Sequence, residues 1–255
     1  MHTTDDILRA AAAWVWFPRD SEQQNDELQL VRYPARFGGG VRASQVDSTA
    51  DAAAVVDHAI ARTRAWGESR LTVWVSPSDS PDLEHELLRR GGELFDTVTV
   101  FASPIEAIEI DIPVGRSAEV VRSIEQVREV DAINVAVWAQ APLDEEGLRT
   151  EFSDISTALA AGTGLRVLGR IDGEPVSTGG CTIVDGFTRL WGAATHEHAR
   201  GRGAYRAVLA ERLRASSELG ARTALVKGRI STSAPILARA GFRNYGDERG
   251  YRLAV

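Results

Sequence analysis

The residues best suited to chemistry lie in one glycine- and arginine-rich segment, Arg200-Gly201-Arg202-Gly203-Ala204-Tyr205. It joins a strand-like run to an amphipathic helix, whose first N–H groups and macrodipole attract anions. Because Gly201 and Gly203 have no Cβ, the backbone at these positions can approach a phosphate closely and adopt a positive φ. Arg200 and Arg202 add charge-assisted hydrogen bonds. The segment predicts a cradle for a pyrophosphate; a loop that merely turns the chain at a helix start is the alternative.

Three strand-like runs lead into this segment. Leu165–Ile171, Val176–Val184 and Phe187–Thr195 are separated by Asp172-Gly173 and Asp185-Gly186. Asp-Gly between apolar runs is typical of tight hairpin turns. The sequence therefore predicts an antiparallel meander that ends at the arginine-glycine loop.

Other elements follow from apolar spacing and from glycine and proline. Before the meander we expect a strand at Val120–Ile124 and helices at Gln126–Trp138 and Leu143–Leu159. After the loop we expect a helix from Tyr205 to Gly220, a strand at Thr223–Lys227, a helix at Ser233–Ala240, and a terminal strand pair, Phe242–Tyr245 with Tyr251–Val255. The predicted fold class is α/β, of the α+β mixed-sheet kind.

This order and its loop resemble the GNAT superfamily of N-acyltransferases. The superfamily signature is Arg or Gln, two residues, Gly, one residue, then Gly or Ala, which Arg200 and Gly203 match and Tyr205 departs from. Ser233–Phe242 is similar to the family's late helix and its Gly-Phe. The resemblance implies that acetyl-CoA, or another acyl-CoA, is a co-substrate held by the loop from Arg200 to Tyr205. It also implies that Ala193, Ala194 and Thr195 pair with pantetheine. Our own hypothesis is that Gly192 forms a bulge that splays this strand from Thr223–Lys227 and opens a slot for the cofactor.

The acid and base of such a transfer are not at their usual family positions. The tyrosine that many members carry four residues before the late-helix glycine is replaced by Leu237, and the fourth strand has no glutamate. Ser233, one helical turn earlier, is a candidate hydrogen-bond donor to the sulfur, or else a helix cap. His196, at the strand end, is the candidate base, or else an ordinary solvated side chain. Trp138 is the candidate acceptor-pocket residue, or else a core residue.

The first half of the chain repeats part of the second. Ala59–Val75 is similar to Arg212–Lys227, and Asp82–Gly92 to Pro235–Phe242, which suggests two related units in tandem. We place them at residues 1–110 and 111–255. At the position equivalent to the loop the first unit carries Asp47–Asp51, which has two carboxylates and no glycine. The first unit is therefore predicted to be a degenerate GNAT-like copy without a CoA site, which supports the fold or shapes the acceptor pocket.

The composition limits the kinds of binding partner that we expect. A net charge of −7 over 255 residues argues against nucleic-acid binding, although arginines concentrate at Arg200, Arg202 and Arg206 and again at Arg212 and Arg214. No apolar run approaches the ~20 residues that span a bilayer. The acidic start of the chain is unlike a secretory signal, so we expect a cytoplasmic protein without a membrane partner. A single cysteine and scattered histidines predict neither a disulfide nor a metal site.

The function expected from these features is transfer of an acetyl or other short acyl group to a primary amine of a small molecule or peptide. The alternative is a non-catalytic acyl-CoA sensor or partner-binding protein of the same fold. A purely structural dimerisation module is disfavoured by the arginine-glycine loop. Trp14, Trp16 and Phe17 need a covering surface, supplied by the second unit or by another subunit of a homodimer.

Overall fold

A computed structural model describes residues 2–18, 20–25, 28–44, 50–230 and 233–255. The helices of these residues are α1 (Thr4–Ala12), α2 (Ala52–Ala65), α3 (Pro81–Arg89), α4 (Ile124–Trp138), α5 (Glu145–Ala160), α6 (Ala204–Glu218) and α7 (Ala234–Arg239). The strands are β1 (Glu22–Asn25), β2 (Gln29–Arg32), β3 (Val41–Ser44), β4 (Arg70–Val75), β5 (Glu93–Pro104), β6 (Arg116–Val120), β7 (Gly164–Ile171), β8 (Glu174–Val184), β9 (Phe187–Thr195), β10 (Thr223–Arg229) and β11 (Arg243–Ala254).

The chain forms two compact units that are not continuous in sequence. The loop unit contains Ala102–Val226 and Ala238–Arg243, and the companion unit contains His2–Phe101, Lys227–Leu237 and Asn244–Val255. The division of the sequence into two related copies, residues 1–110 and 111–255, stays a prediction.

The loop unit has the strand order β10-β9-β8-β7-β6. Strands β6 to β9 are antiparallel, which confirms the predicted meander, and β10 is parallel to β9. Helices cover both faces of the meander, which is why β7 and β8 are buried along most of their length. The core between the sheet and α4 and α5 consists of Val121, Val127, Val130, Ile133, Leu148, Ile155, Leu168 and Ala194.

The start of the loop unit differs from the sequence expectation. The strand predicted at Val120–Ile124 lies earlier, at Arg116–Val120. Helix α4 already begins at Ile124 because Ser123 and Gln126 form a capping box at its N-terminus. This cap places the residues that follow Val120 at the entrance to the helix instead of in the strand.

The companion unit has the strand order β1-β2-β3-β4-β11-β5. Strand β11, from the end of the chain, pairs antiparallel with β4, so that Tyr251 lies opposite Val73 and Leu253 opposite Leu71. These four side chains are buried in one core beneath α2 and α3. The last residues of the sequence therefore complete the sheet of the unit that contains the first hundred.

The predicted terminal strand pair is wrong. A single strand, Arg243–Ala254, replaces it, because the polar run Asp247-Glu248-Arg249 is held by partners rather than turning in solvent. Asp247 accepts a hydrogen bond of 2.6 Å from the Thr99 hydroxyl, and Glu248 lies 2.8 Å from the Lys227 ammonium. Arg249 pairs with Glu84 at 2.6 Å.

The N-terminal aromatic residues are partly covered within the companion unit. Trp16 packs edge-on against Phe37, with ring centroids 5.3 Å apart. The Lys227 ammonium lies over the Trp14 ring at 5.9 Å and donates to the Trp14 carbonyl at 3.2 Å. Trp16 and Phe37 nevertheless stay largely exposed. No helix of the described residues is both long and apolar enough to span a membrane.

Candidate functional site

The predicted loop connects the end of β9 to the start of α6. The His196 N–H donates to the Val176 carbonyl at 2.9 Å, and a short 3₁₀ turn at Glu197–Ala199 follows. Gly201 then takes a φ of 73° and Gly203 a φ of 90°, both in the left-handed region that glycine reaches without strain. Two reversals within three residues bring the chain round so that α6 begins at Ala204.

The N-terminus of α6 is open to an anion. Its N-cap is Gly203, which has no side chain to cap the helix, and the first turn carries no acidic residue. Within the part of the chain that the structure describes, the N–H groups of Gly203, Ala204 and Tyr205 donate to no backbone or side-chain acceptor. Free donors and the positive end of the helix dipole therefore face the same space.

The first two arginines of the loop are exposed beside this helix end. Arg200 donates from Nε to the Thr195 carbonyl at 3.3 Å, and the Arg202 carbonyl accepts from Arg116 Nε at 2.9 Å. Arg206 faces Asp111 with an N–O distance of 3.7 Å. Arg200 and Arg202 therefore supply positive charge where an anion would bind.

Two of the arginines that the sequence groups with the loop have other roles. Arg214 lies on the outer face of α6, paired with Glu211 at 2.7 Å and with Glu218 at 2.5 Å. Arg212 is only 1% exposed and donates to the carbonyls of Gly180 and Trp191 at 3.1 and 3.3 Å. We therefore do not assign either to the candidate anion site, because these partners already hold both guanidinium groups.

Tyr205 fills the small position of the predicted motif. Its hydroxyl accepts from Arg212 Nη2 at 3.4 Å, and its ring centroid lies 5.7 Å from the Arg212 guanidinium carbon. The larger side chain is therefore accommodated by packing on the buried arginine. The sequence did not indicate this partner, which lies two helical turns away on the same face.

The predicted bulge at Gly192 is present. Thr178 lies opposite Ala194 and Gly180 opposite Trp191, so two residues of β9, Gly192 and Ala193, oppose Gly179 alone. Gly192 has a φ of 59°, which suits a bulge. The Arg212 bonds to Gly180 and Trp191 fix the carbonyls on both strands beside it.

Strand β9 leaves its parallel neighbour shortly before the bulge. Pairing with β10 covers only Phe187–Arg189 against Thr223–Leu225, whereas β9 runs on to Thr195. On the other edge Ser177 secures the strand, donating to the Ala194 carbonyl at 3.0 Å and contacting the Thr195 hydroxyl at 2.8 Å. The result is a strand edge, Ala193–Thr195, that leads toward the loop.

The candidate catalytic residues fall in both units. His196 lies at the end of β9 in the loop unit, half-buried, with its ring stacked on His198 at 5.4 Å. His198 in turn lies 3.5 Å from Glu174. Ser233 belongs to the companion unit and directly precedes α7, where its carbonyl accepts from the N–H of Leu237 at 3.0 Å. Leu237 is fully buried.

The tryptophans of the loop unit are not core residues. Trp138, at the last position of α4, is 52% exposed, and Trp191 is 39% exposed on β9. Among residues 2–18, 20–25, 28–44, 50–230 and 233–255, no group of three or more His, Cys, Asp or Glu side chains is placed to hold a metal ion.

The N-terminal counterpart of the loop is only partly described. Asp47 to Thr49 lie outside the described residues. Asp51, however, is the N-cap of α2, and its carboxylate accepts the Ala54 N–H at 3.1 Å. This helix end carries its own negative charge, in contrast to the glycine cap of α6.

No protein-family model matches this sequence, and no curated protein sequence matches it significantly. Solved structures are similar over nearly the whole chain. A GCN5-related N-acetyltransferase from Kribbella flavida has a TM-score of 0.67 at 22% identity, over 92% of this chain and 90% of its own. One from Sphaerobacter thermophilus has a TM-score of 0.67 at 16% identity, over 98% and 85%. A tandem GNAT protein from the clavulanic acid biosynthesis pathway has a TM-score of 0.66 at 14% identity, over 97% and 87%.

Proposed function

The chain has the fold of the GCN5-related N-acetyltransferases, and from that premise we propose that it transfers an acetyl or other short acyl group from acyl-CoA to a primary amine. The amine belongs to a small molecule or a peptide. One observation carries the proposal: the glycine-capped, donor-rich start of α6 stands at the end of the bulged and partly unpaired strand β9.

The loop fits the pyrophosphate of CoA by charge and by shape. The unbonded N–H groups at Gly203, Ala204 and Tyr205 donate to phosphate oxygens, and Arg200 and Arg202 add positive charge. The edge Ala193–Thr195 offers backbone partners for the amides of pantetheine. These residues are the proposed acyl-CoA site.

The companion unit is not expected to bind a second acyl-CoA. At the start of α2 the Asp51 carboxylate already takes the N–H of Ala54, and a second negative charge there would be repelled. We propose one acyl-CoA per chain.

Transfer requires that the amine lose a proton before it attacks. His196 is the proposed base, acting through water on the ammonium. The amine nitrogen then bonds to the thioester carbonyl carbon and releases its second proton to solvent. The carbon–sulfur bond breaks, and the thiolate takes up a proton from solvent. Ser233 is the proposed hydrogen-bond donor to that sulfur and Trp138 the proposed acceptor contact, with the rate arising mainly from positioning of the two reactants.

A non-catalytic acyl-CoA sensor is the second candidate. It is favoured by Leu237, a buried apolar residue at the position where the resemblance leads one to expect a tyrosine that serves as the general acid. Release of free thiol in the presence of an amine panel separates the two candidates: an enzyme releases CoA in step with amine consumption, whereas a sensor binds acyl-CoA without release.

The binding site is tested by titrating the full chain with CoA and acetyl-CoA in a calorimeter and in a thermal-shift assay. We expect one equivalent bound and a raised melting temperature. Gly201→Asp places a carboxylate in the loop, at a φ of 73° and with no atom within 4 Å of the new Cβ, and should weaken binding about tenfold or more.

Gly173→Asp is the matched control. Gly173 has a φ of 89° and equally free surroundings, but lies in the hairpin turn between β7 and β8. Its substitution should leave acyl-CoA binding unchanged. The double variant Arg200→Ala with Gly203→Asp should abolish binding. Unaltered affinity in the Gly201→Asp protein would contradict the proposed site, and absence of any binding by the unmodified chain would contradict both candidate functions.

A further inference from the structure

Arg166 is a buried cation without a counterion. Arg166 lies within β7 and is 5% exposed, and burial lowers the pKa of its guanidinium to about 10. Glu151 on α5 attracts it only at longer range, and Arg212 repels it. A charge removed from water in this way is costly unless an opposite charge accompanies it. The fold itself supplies none at hydrogen-bonding distance among the residues that the structure describes.

The contacts of Arg166 are neutral and leave one end of the side chain unused. Nε donates to the Thr178 hydroxyl at 3.1 Å, and Nη2 donates to the side-chain carbonyl of Asn134 on α4 at 3.4 Å. The guanidinium carbon lies 5.1 Å from the ring centroid of Trp191. Nη1 points at the bulge, where a Cβ added to Gly192 would lie 3.1 Å from it.

The register explains why this end is accessible. Arg166, Gly180 and Trp191 lie opposite one another on three adjacent strands and share one face of the sheet. The middle position has no side chain, and the Trp191 ring extends across it: a Cβ at Gly180 would lie 2.5 Å from that ring. Trp191 and Gly192 are exposed, so the side of the guanidinium that faces the bulge is the side from which a small ligand would approach, past the edge of the indole.

We propose that Arg166 binds a carboxylate group of the amine acceptor, so that the substrate is an amino acid or another small amine bearing a nearby carboxylate. The inference rests on the proposed acyl transfer. A carboxylate matches the planar donors of a guanidinium and supplies the missing negative charge. The side-chain NH2 of Asn134 is free to donate to the same group, since its oxygen already accepts from Arg166.

Charge and geometry favour a carboxylate near the amine. A single guanidinium balances one negative charge; the other buried arginine of this unit, Arg212, bonds to carbonyls from the opposite face. In an α-amino acid the nitrogen lies within about 2.5 Å of the carboxyl carbon. A carboxylate on Arg166 therefore holds the amine next to the Gly192 bulge, beside the strand edge proposed for pantetheine.

The test compares α-amino acids with their primary amides, as ligands in a thermal-shift assay with and without CoA and as acceptors in a thiol-release assay. We expect the acids to stabilise the unmodified chain and to be the better acceptors. A separate arm of the thiol-release assay compares succinyl-CoA with acetyl-CoA as the acyl donor. Preference for succinyl-CoA that depends on Arg166 would place the carboxylate on the acyl group and overturn the assignment to the acceptor.

Arg166→Met removes the charge and keeps an unbranched apolar side chain of comparable length. It should lower kcat/KM for the acids about 10- to 100-fold and change the amides less than about threefold. Arg166→Lys keeps the charge but not the paired donors and should be intermediate. The control is Arg170→Met on the same strand, whose partners Glu119 and Glu129 lie away from the bulge. It should leave the preference for acids unchanged.

Stability separates ligand binding from a structural role. A merely structural Arg166 predicts a lower melting temperature for Arg166→Met, whereas an uncompensated charge kept for a ligand predicts one equal to or above that of the unmodified chain. Equal loss of activity toward acids and amides, or equal binding of both by the unmodified chain, would overturn the proposal. Binding of acids without any binding of acyl-CoA would instead refute the proposed transfer and leave the carboxylate site standing.

Discussion

Replacing Asp79 by asparagine should stabilise the protein above about pH 6 and have little effect below pH 4. Asp79 lies between β4 and α3 in the companion unit, and its Oδ2 accepts the Ser76 N–H at 2.6 Å. Burial raises the pKa of its carboxyl from 3.8 to about 6, with a smaller contribution from the charge of Glu248. The folded protein therefore holds this proton more tightly than the unfolded chain does.

The magnitude follows from the two pKa values. Below pH 3.8 the carboxyl is protonated in both states and costs nothing; above about pH 6 it must ionise inside the fold. The difference corresponds to about 3 kcal/mol. We reduce it to about 2 kcal/mol because water reaches part of the side chain. For a chain of this size that is about 4 °C in melting temperature.

The measurement is urea denaturation of the Asp79→Asn protein at pH values from 4 to 8. The gain in unfolding free energy should appear above pH 4, grow through pH 6 and level off about one pH unit above the folded-state pKa, where the carboxyl of the unmodified protein is ionised in both states. The substituted amide has no proton to lose. Asp82→Asn, an exposed position in the first turn of α3, is the control and should change stability by less than about 0.5 kcal/mol throughout. A loss of stability at pH 8 would refute the reasoning, because it would show that the ionised Asp79 is a favourable partner.

Two further substitutions test the packing inside each unit. Lys227→Met leaves Glu248, 2.8 Å away, as a buried charge without its ammonium partner and should cost about 3 kcal/mol or more in urea denaturation, of which Glu248→Gln in the same chain should recover a part. Gly169→Ala places a Cβ against Val208 Cγ2, on the buried face of α6, closer than van der Waals contact allows, and should cost about 1–3 kcal/mol. Combining it with Val208→Ala should give a loss smaller than the sum of the two single losses; additivity would show that the two side chains do not compete for space.

The GNAT fold predicted from the sequence is confirmed by the similarity to solved structures. Much of it was visible because its signals are local. Asp172-Gly173 and Asp185-Gly186 form the turns of the meander, and Phe187–Thr195 is a strand with the bounds that the apolar run predicts. Gly192 indicated the bulge for the same local reason, since glycine adopts the positive φ of a bulge without strain. The role of these elements in binding acyl-CoA stays a prediction.

Side-chain roles were less visible, because neighbours in sequence do not determine burial. In β7, Arg166 is buried and forms no ion pair with any residue that the structure describes, whereas Arg170, four residues later, pairs with Glu119 and Glu129. The alternation of apolar and basic residues in this strand is the same around both. Both arginines contact α4, but Arg166 meets the amide of Asn134 and the Trp191 ring, whereas Arg170 meets the carboxylate of Glu129.

The sequence by itself determined most of the helices and strands of the loop unit, its glycine turns and the arginine-glycine loop, because backbone preference and hydrophobic period act over a few residues. Only the tertiary structure decided that the last strand pairs with β4, about 180 residues earlier, and that Asp247, Glu248 and Arg249 are partnered rather than solvated. It also decided which arginines face the loop and which are buried beside the bulge. Those outcomes depend on desolvation and long-range pairing, whose free energies are set by residues far away in the chain.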